Sequence, residues 1–228
     1  MQAQEQTSSS FDFQKEIARA KWYKEDLEKG GWKEAVKGPG SVCWTKSYPE
    51  EEVPVKVLFT FDMEMPVEYV LKMLDPSTQD TRPKWDKAFT DLEVLESNDH
   101  GEYVTYSRTA ASGPITSRSF VLLVSPIKEL DWYGKKCFIM FQKNVTHPSK
   151  PVGQDSFIRA QNGGNFYMAI PDDEEPTTKS KFFGLSNNNY NGWLPNWEWL
   201  HARIVHKGTG KITGNMVEGY NMLYKGKE

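Results

Sequence analysis

The sequence predicts an α+β fold in which a curved antiparallel sheet of about nine strands wraps one long C-terminal helix. Segment 193–224 carries apolar residues at helical spacing, and Pro195 suits the first helical position. Most of the chain before it has the alternation or short apolar runs typical of strands. A single amphipathic helix after so many strands needs a concave sheet to lie against, so we expect a cavity between them.

The N-terminal part of the chain contains a tail, a helix and a hairpin. Residues 1–10 are polar and aperiodic, which predicts a disordered tail before a single domain at residues 11–228. Apolar residues at helical spacing then predict a helix that ends at Gly30. A hairpin follows, with strands at 32–36 and 42–47.

The third strand, 55–61, begins the central part of the sheet, and two short helical stretches follow at 66–74 and 77–87. Four apolar residues of the strand share a face that should point inward: Val55, Val57, Phe59 and Phe61. The remaining strands are predicted at 92–96, 103–109, 118–124, 136–143, 156–170 and 179–187, the fifth of these with a bulge at 163–164. Short connections predict a mainly antiparallel, meandering sheet.

Two of the predicted strands are apolar on both faces, at 120–124 and 137–141. A sheet with one face in water would not tolerate this pattern. We therefore expect the inner face to line the cavity or pack on the helix, while another element covers the outer face.

The C-terminal helix contains several glycines. Gly208 and Gly210 predict two helical pieces with a hinge between them. Gly214 and Gly219 follow in the second piece, where each interior glycine costs about 1 kcal/mol relative to alanine. The sequence therefore predicts a loose end to this helix.

Composition, the start of the chain and residue spacing disfavour several kinds of partner and site. The net charge of −3 over 228 residues does not favour nucleic acid or an anionic membrane as an electrostatic partner. The start of the chain lacks the basic and apolar regions of a signal peptide, so we expect a cytoplasmic protein. Cys43 and Cys137 are expected to be free thiols. The five-residue spacing of His201 and His206 does not suit a zinc site, so we expect surface histidines and no metal.

Several segments resemble, in order and spacing, the START (StAR-related lipid transfer) domain family, over about residues 11–224. The segments that carry the resemblance are Trp32 with its hairpin, RPKWD at 82–86, SRSFV at 117–121, VTH at 145–147, FIRA at 157–160 and NNNYNGWLP at 187–195. The resemblance implies a helix-grip fold with a tunnel for one lipid. It also implies transport without catalysis, and no cofactor.

The ligand implied by the resemblance is one hydrophobic or amphipathic molecule, such as a phospholipid, a ceramide, a sterol or a carotenoid. We expect a monomer that makes transient contact with membranes. Family members that carry sterols pair an acid with a base at positions that correspond to Ser107 and Val124 here. Such an ion pair is absent, which disfavours a sterol. The family's usual Asp after Arg118 is replaced by Ser119.

Head-group binding is assigned through the same resemblance. Arg82 matches the phosphate-binding arginine of the phosphatidylcholine carrier, while Asp86, Ser107 and Asn187 match the polar residues of the ceramide carrier. Arg82 and Asp86 also lie one helical turn apart, so a purely structural ion pair is the alternative.

The tunnel wall and its entrance complete the predicted site. Alternation and the resemblance together place a set of residues on the wall: Thr105, Ser107, Phe120, Leu122, Val124, Phe141, Leu200, Met216 and Tyr220. The loop 110–117, with Gly113, Pro114 and Ile115, is predicted to form a gate with the C-terminal helix, and a plain hairpin loop is the alternative.

Two other functions are compatible with the same scaffold. An enzyme such as a cyclase or a hydrolase would need an acid and a base facing the tunnel, and the sequence offers no catalytic residue for that role. A domain that senses a ligand for regulation would need only the cavity.

Overall fold

The computed structural model describes residues 10–111, 116–153 and 157–226, and it confirms the predicted α+β fold. A large sheet and a long C-terminal helix dominate the chain. The helices are α1 (Phe13–Glu28), α2 (Val67–Val70), α3 (Arg82–Trp85) and α4 (Glu198–Leu223), with a 3₁₀ turn at Pro76–Thr78. The strands are β1 (Lys33–Gly38), β2 (Ser41–Ser47), β3 (Val55–Met63), β4 (Phe89–Ser97), β5 (Tyr103–Thr109), β6 (Arg118–Val124), β7 (Lys128–Trp132), β8 (Lys135–Asn144), β9 (Ile158–Arg159), β10 (Gln161–Asn162), β11 (Asn165–Pro171), β12 (Ser180–Ser186) and β13 (Asn188–Asn189).

Eleven strands form one sheet, whose main path runs β1-β2-β3-β12-β11-β8-β6-β5-β4. All pairs along this path are antiparallel, as predicted, whereas the short β9 pairs with β6 in parallel. The pairing of β3 with β12 joins an early strand to a late one. The sheet therefore does not follow chain order throughout, as a simple meander would.

The two faces of the sheet bury two separate apolar clusters. The inner cluster contains Val55, Val57, Phe59 and Phe61, as predicted, and packs against α4. The outer cluster is covered by α1, which contributes Ala20 and Tyr23. The predicted cover for the outer face is therefore α1. The two cysteines are free and lie in different clusters, Cys43 inside and Cys137 outside.

Several predicted elements differ from those in the structure. The predicted strand 156–170 is broken at Ala160 and at Gly163–Gly164, where a simple bulge was expected. The three pieces pair with different strands: β9 with β6, β10 with β13, and β11 with β8 and β12. Strand β7 was not predicted, because three of its five residues are charged. Helix α4 begins at Glu198 and not at Pro195. It also continues without a break through the glycines at 208 and 210, so the predicted hinge is absent. The tail expected at residues 1–10 lies outside the described residues, except for Ser10.

Packing explains why the glycines do not break α4. The helix lies along β1, β2 and β3, and burial of Ala202, Val205 and Met216 on one face stabilises it. Gly219 is itself buried, and a Cβ built there would lie 2.7 Å from the indole Cγ of Trp85 and 2.7 Å from Cε of Met73. Gly219 therefore permits close approach of α4 to α3, and it tightens the end of the helix where looseness was predicted.

This packing predicts opposite effects for two Gly→Ala substitutions in α4. A Cβ at Gly214 meets nothing within 4 Å, so Gly214→Ala should raise the free energy of unfolding by up to about 1 kcal/mol through helix propensity alone. Gly219→Ala should instead lower it by roughly 1–2 kcal/mol, since overpacking outweighs that gain. Urea unfolding of both variants measures the difference. An increase in stability for Gly219→Ala would contradict the close packing of α4 on Trp85.

Candidate functional site

A cavity of about 1080 Å³ lies between the inner face of the sheet and the first half of α4. Strands β4, β5 and β6 form one wall, and residues 74–82 and the segment 193–195 close parts of the others. Side chains alternate between the two faces of a strand, and α1 covers the outer face of the sheet. The side chains on the other face of these strands therefore point into the cavity.

The structure places six of the predicted wall residues on the cavity surface. They are Thr105, Ser107, Phe120, Leu122, Val124 and Leu200. The neighbouring residues Val121 and Leu123 lie in the outer cluster, as alternation requires. The face of β5 and β6 that was predicted to point inward is therefore the face that borders the cavity.

Phe141 faces the opposite way from its prediction. Its ring lies in the outer cluster, with its centroid 6.2 Å from that of Phe11 and 6.0 Å from that of Phe13. Met140 of the same strand lies in the inner cluster instead. Strand β8 is apolar on both faces, so its alternation does not identify the inward side.

Met216 and Tyr220 were predicted to line the cavity, but they lie beyond it. Both residues are in the second half of α4, whereas the cavity borders that helix only up to Ile212. Met216 is fully buried in the inner cluster. The Tyr220 ring packs 5.0 Å from that of Tyr69, between centroids. This half of the helix is therefore core.

Arg82 and Asp86 form the predicted ion pair at the edge of the cavity. Arg82 Nε donates to Asp86 Oδ2 over 3.0 Å, and both residues are buried. The guanidinium also lies 5.0 Å from the ring of Phe89, and Asp86 Oδ1 accepts from the backbone N of Ala88 at 2.9 Å. Arg82 lines the cavity, while Asp86 lies behind it. Asp86 therefore positions Arg82 and does not face a ligand directly.

Arg118 is a second buried cation at the cavity wall, and backbone carbonyls hold it. Its Nε donates to the carbonyl of Tyr190 at 2.6 Å, and its Nη1 donates to that of Thr116 at 2.6 Å. Burial lowers the pKa of this guanidinium. Arg118 thus ties β6 to the segment that precedes α4.

A cluster of neutral polar side chains, which we call the asparagine cluster, also lines the cavity. Its members are Asn162, Asn165, Asn188, Tyr167, Tyr190 and Ser186. Asn165 Nδ2 donates to Tyr167 Oη at 3.2 Å and to Asn188 Oδ1 at 3.3 Å. Burial raises the pKa of Tyr167 to about 12, so its hydroxyl stays protonated at neutral pH. The sequence predicted only a bulge in part of this region.

Asn162 carries a buried donor that has no partner among the residues that the structure describes. Its Oδ1 accepts from the backbone N of Gly164 at 2.8 Å and from that of Asn165 at 3.1 Å, which fixes the orientation of the amide. Its Nδ2 is buried and has no partner within the described ranges. A buried donor without a partner destabilises the fold locally, and this nitrogen is not itself exposed to the cavity.

Asn187, predicted to bind the head group, lies beside the cavity wall and not on it. Its Nδ2 donates to the carbonyl of Gly163 at 2.7 Å, and its backbone N donates to Asn165 Oδ1 at 2.8 Å. Asn187 therefore supports the asparagine cluster from behind. The predicted gate residues Gly113, Pro114 and Ile115 lie outside the described residues.

The histidines and cysteines lie away from the cavity surface. His201 is buried, so its prediction as a surface residue is wrong, and desolvation lowers its pKa. His206 is half-buried, with Nε2 3.0 Å from Ser41 Oγ. Burial raises the pKa of Cys43 to about 12 and that of Cys137 to about 11, so both thiols stay protonated and unreactive.

Neither a metal site nor a membrane span is found in the part of the chain that the structure describes. No group of three or more His, Cys, Asp or Glu side chains there could hold a metal ion. Within the same ranges, no helix combines the length and apolar character needed to cross a bilayer.

Comparison with known proteins assigns the chain to a family. The sequence model of the START domain matches residues 12–225. A sequence search of curated proteins found no match. The structure of human StAR-related lipid transfer protein 5 is similar, with 20% identity, a TM-score of 0.74 and coverage of 93% of this chain and 96% of that one. Human STARD10 is similar at 16% identity, with a TM-score of 0.71 and coverage of 97% and 86%. Both structures share the fold.

Proposed function

Because this chain belongs to the START domain family, we propose that it is a non-catalytic carrier that binds one lipid or lipid-like molecule in its cavity. The ligand classes are those expected from the sequence: a phospholipid, a ceramide, a sterol or a carotenoid. The carrier acts in the cytoplasm as a monomer and contacts membranes transiently. The observation that supports this proposal is the cavity of about 1080 Å³ between sheet and helix.

The walls of the cavity suit a mainly apolar ligand. Phe120, Leu122 and Val124 form an apolar strip on β6, and Leu200 and Ile204 are among the residues of α4 on the cavity surface. The volume is at the upper end of the range for small-molecule sites, which bury most of the ligand surface against such walls. Burial of the apolar part supplies most of the binding free energy.

The polar end of the ligand is held by hydrogen bonds in this proposal. The asparagine cluster presents amide and hydroxyl groups to one side of the cavity. Its members are neutral, so the matching group is a neutral one such as a hydroxyl or carbonyl oxygen. Ser107 adds a hydroxyl on the β5 wall. A phosphate at Arg82 would compete with Asp86 for the guanidinium, which favours a neutral polar end.

The chemistry of the wall supports a carrier over an enzyme. Among the described residues that line the cavity, no side chain is Asp, Glu, His or Cys. Acid–base catalysis mostly uses such groups in contact with the substrate, and hydroxyl nucleophiles are mostly activated by them. Regulation by a bound ligand would use the same cavity, and no observation in this chain favours it over transport.

Transfer between vesicles tests the proposal. Donor vesicles would carry one probe at a time. Three probes would be fluorescent analogues of a phosphatidylcholine, a ceramide and a sterol, and the fourth would be a carotenoid, detected because it quenches a vesicle dye. We expect the protein to accelerate transfer of at least one probe to acceptor vesicles, in proportion to its concentration. Transfer rates equal to the protein-free rate for all four probes would overturn the carrier function.

A further inference from the structure

Three exposed tryptophans lie together beside the cavity. Trp193, Trp197 and Trp199 are 65%, 56% and 51% exposed, and all three also border the cavity. The rings of Trp197 and Trp199 stack with centroids 5.7 Å apart. We call these three residues the tryptophan cluster. Exposed aromatic surface of this size next to a ligand cavity marks an interaction site.

A row of cations continues from the tryptophan cluster along α4. Arg203, Lys207 and Lys211 are spaced four residues apart, so they lie along one side of the helix. All three are exposed, and all three border the cavity. The guanidinium of Arg203 lies 5.8 Å from the ring centroid of Trp199, which connects the row to the cluster. We call these three residues the cationic stripe.

The charge around the cavity has one sign. The described residues that border it include Arg82 and Arg118 as well as the cationic stripe, and no Asp or Glu. Asp80 and Glu218 are exposed on neighbouring segments but do not border the cavity. The net charge of −3 is therefore distributed unevenly. A local cationic surface can attract an anionic partner in spite of the overall charge.

We propose that the tryptophan cluster and the cationic stripe together dock this protein on a bilayer surface that contains anionic lipids. Tryptophan favours the boundary between head groups and acyl chains, because it has an apolar ring and one polar N–H. Lysine and arginine gain free energy from the negative potential of such a surface. Docking in this orientation sets the cavity against the bilayer, so the ligand enters and leaves without crossing water.

A bilayer fits the surface better than an acidic protein does. Trp193 precedes α4, Trp197 is the N-cap of that helix, and Trp199 lies in its first turn. The adjacent positions 193, 194 and 195 all border the cavity. An acidic protein bound there would cover this side of the cavity without supplying a ligand. A bilayer covers the same side and also supplies the ligand. This inference rests on the proposed carrier function for its biological purpose, but the docking itself is measurable without any ligand.

Co-sedimentation with extruded vesicles tests the docking. Vesicles of phosphatidylcholine alone would be compared with vesicles that contain about one third phosphatidylserine, at low and at high salt. We expect tighter binding to the anionic vesicles and loss of that preference at high salt. Lys207→Gln/Lys211→Gln should weaken binding to the anionic vesicles about 25-fold, since each charge near the surface contributes about fivefold.

A matched control separates the stripe from general charge effects. Lys15 and Lys29 are exposed at the two ends of α1, on the other side of the sheet. Lys15→Gln/Lys29→Gln removes the same charge and should leave vesicle binding unchanged. Trp197→Ala/Trp199→Ala should weaken binding to both kinds of vesicle. Circular dichroism verifies that each variant is folded.

Two patterns of vesicle binding would overturn the docking surface. One is equal binding of the wild-type protein to neutral and anionic vesicles, and the other is equal loss of binding in the stripe variant and its α1 control. Absence of any vesicle binding, including the case in which the stripe binds an acidic protein instead, also overturns it. Ligand occupancy of the wild-type protein without vesicles reports separately on the carrier function, so the two failures are distinguishable.

Discussion

Replacing Asp86 with alanine should lower the free energy of unfolding by about 3–5 kcal/mol, the largest effect expected from a single polar substitution at the cavity. Arg82 would remain buried without its anionic partner, since the Nε–Oδ2 bond of 3.0 Å is lost. The backbone N of Ala88 would also lose its acceptor. Urea unfolding of the purified variant measures the change.

Two further variants separate the causes of that loss. Arg82→Leu/Asp86→Ala removes both charges, so most of the stability should return, because no unpaired charge stays buried. Asp86→Asn keeps an oxygen that can accept from Ala88 N, and it should fall between the wild type and Asp86→Ala. Equal stability of Asp86→Ala and the wild type would show that Arg82 is solvated and that the pair is not structural.

Phe141→Ala should lower the free energy of unfolding by about 3–5 kcal/mol and leave ligand occupancy unchanged. The Phe141 side chain is fully buried between the sheet and the N-terminal aromatic residues, on the far side of the sheet from the cavity. Its removal leaves a void in the outer cluster only.

Leu122→Ala is the matched substitution on the cavity side. Leu122 already faces the cavity. Leu122→Ala should therefore lower the free energy of unfolding by less than the loss typical of a packed core leucine, which is about 2–5 kcal/mol. It should also change which ligand the protein retains, because it widens the wall. Thermal unfolding and mass spectrometry of extracted lipids measure the two properties. The assignment of the two faces would be contradicted if folded Phe141→Ala retained a different ligand from the wild type while Leu122→Ala retained the same one.

The contrast between β6 and β8 shows how far the sequence predicts the site. Alternation correctly separated Phe120 and Leu122 from Val121 and Leu123. Both strands carry apolar residues on both sides, so alternation alone does not choose the inward face, and the face chosen for Phe141 of β8 is the wrong one. The position of α1 decides the matter, and that position depends on tertiary packing.

Helix α4 shows a different limit of sequence reasoning. Its apolar periodicity predicted the helix, but the pattern does not show where the cavity ends along it. Met216 and Tyr220 continue the apolar face and yet pack as core. Local propensity likewise predicted a break at Gly208, whereas burial of the helix face against the sheet overrides that preference.

Polar features of the site were the least predictable from sequence. The net charge did not reveal the cationic stripe, although the spacing of Arg203, Lys207 and Lys211 was visible in the chain. The unpaired amide of Asn162 could not be predicted, because it depends on a turn whose two N–H groups occupy the oxygen. Arg82 and Asp86 were predictable as a pair from their four-residue spacing.

The central claim is that one hydrophobic ligand occupies the cavity between sheet and α4. Native mass spectrometry of the wild-type protein and of Leu122→Trp, both incubated with the same lipid vesicles and then separated from them, tests it most directly. The account predicts a single bound ligand per chain in the wild type and a much lower occupancy in Leu122→Trp, whose indole fills part of the cavity, with circular dichroism unchanged. A wild-type protein that carries no ligand, or a folded Leu122→Trp protein with undiminished occupancy, would contradict it.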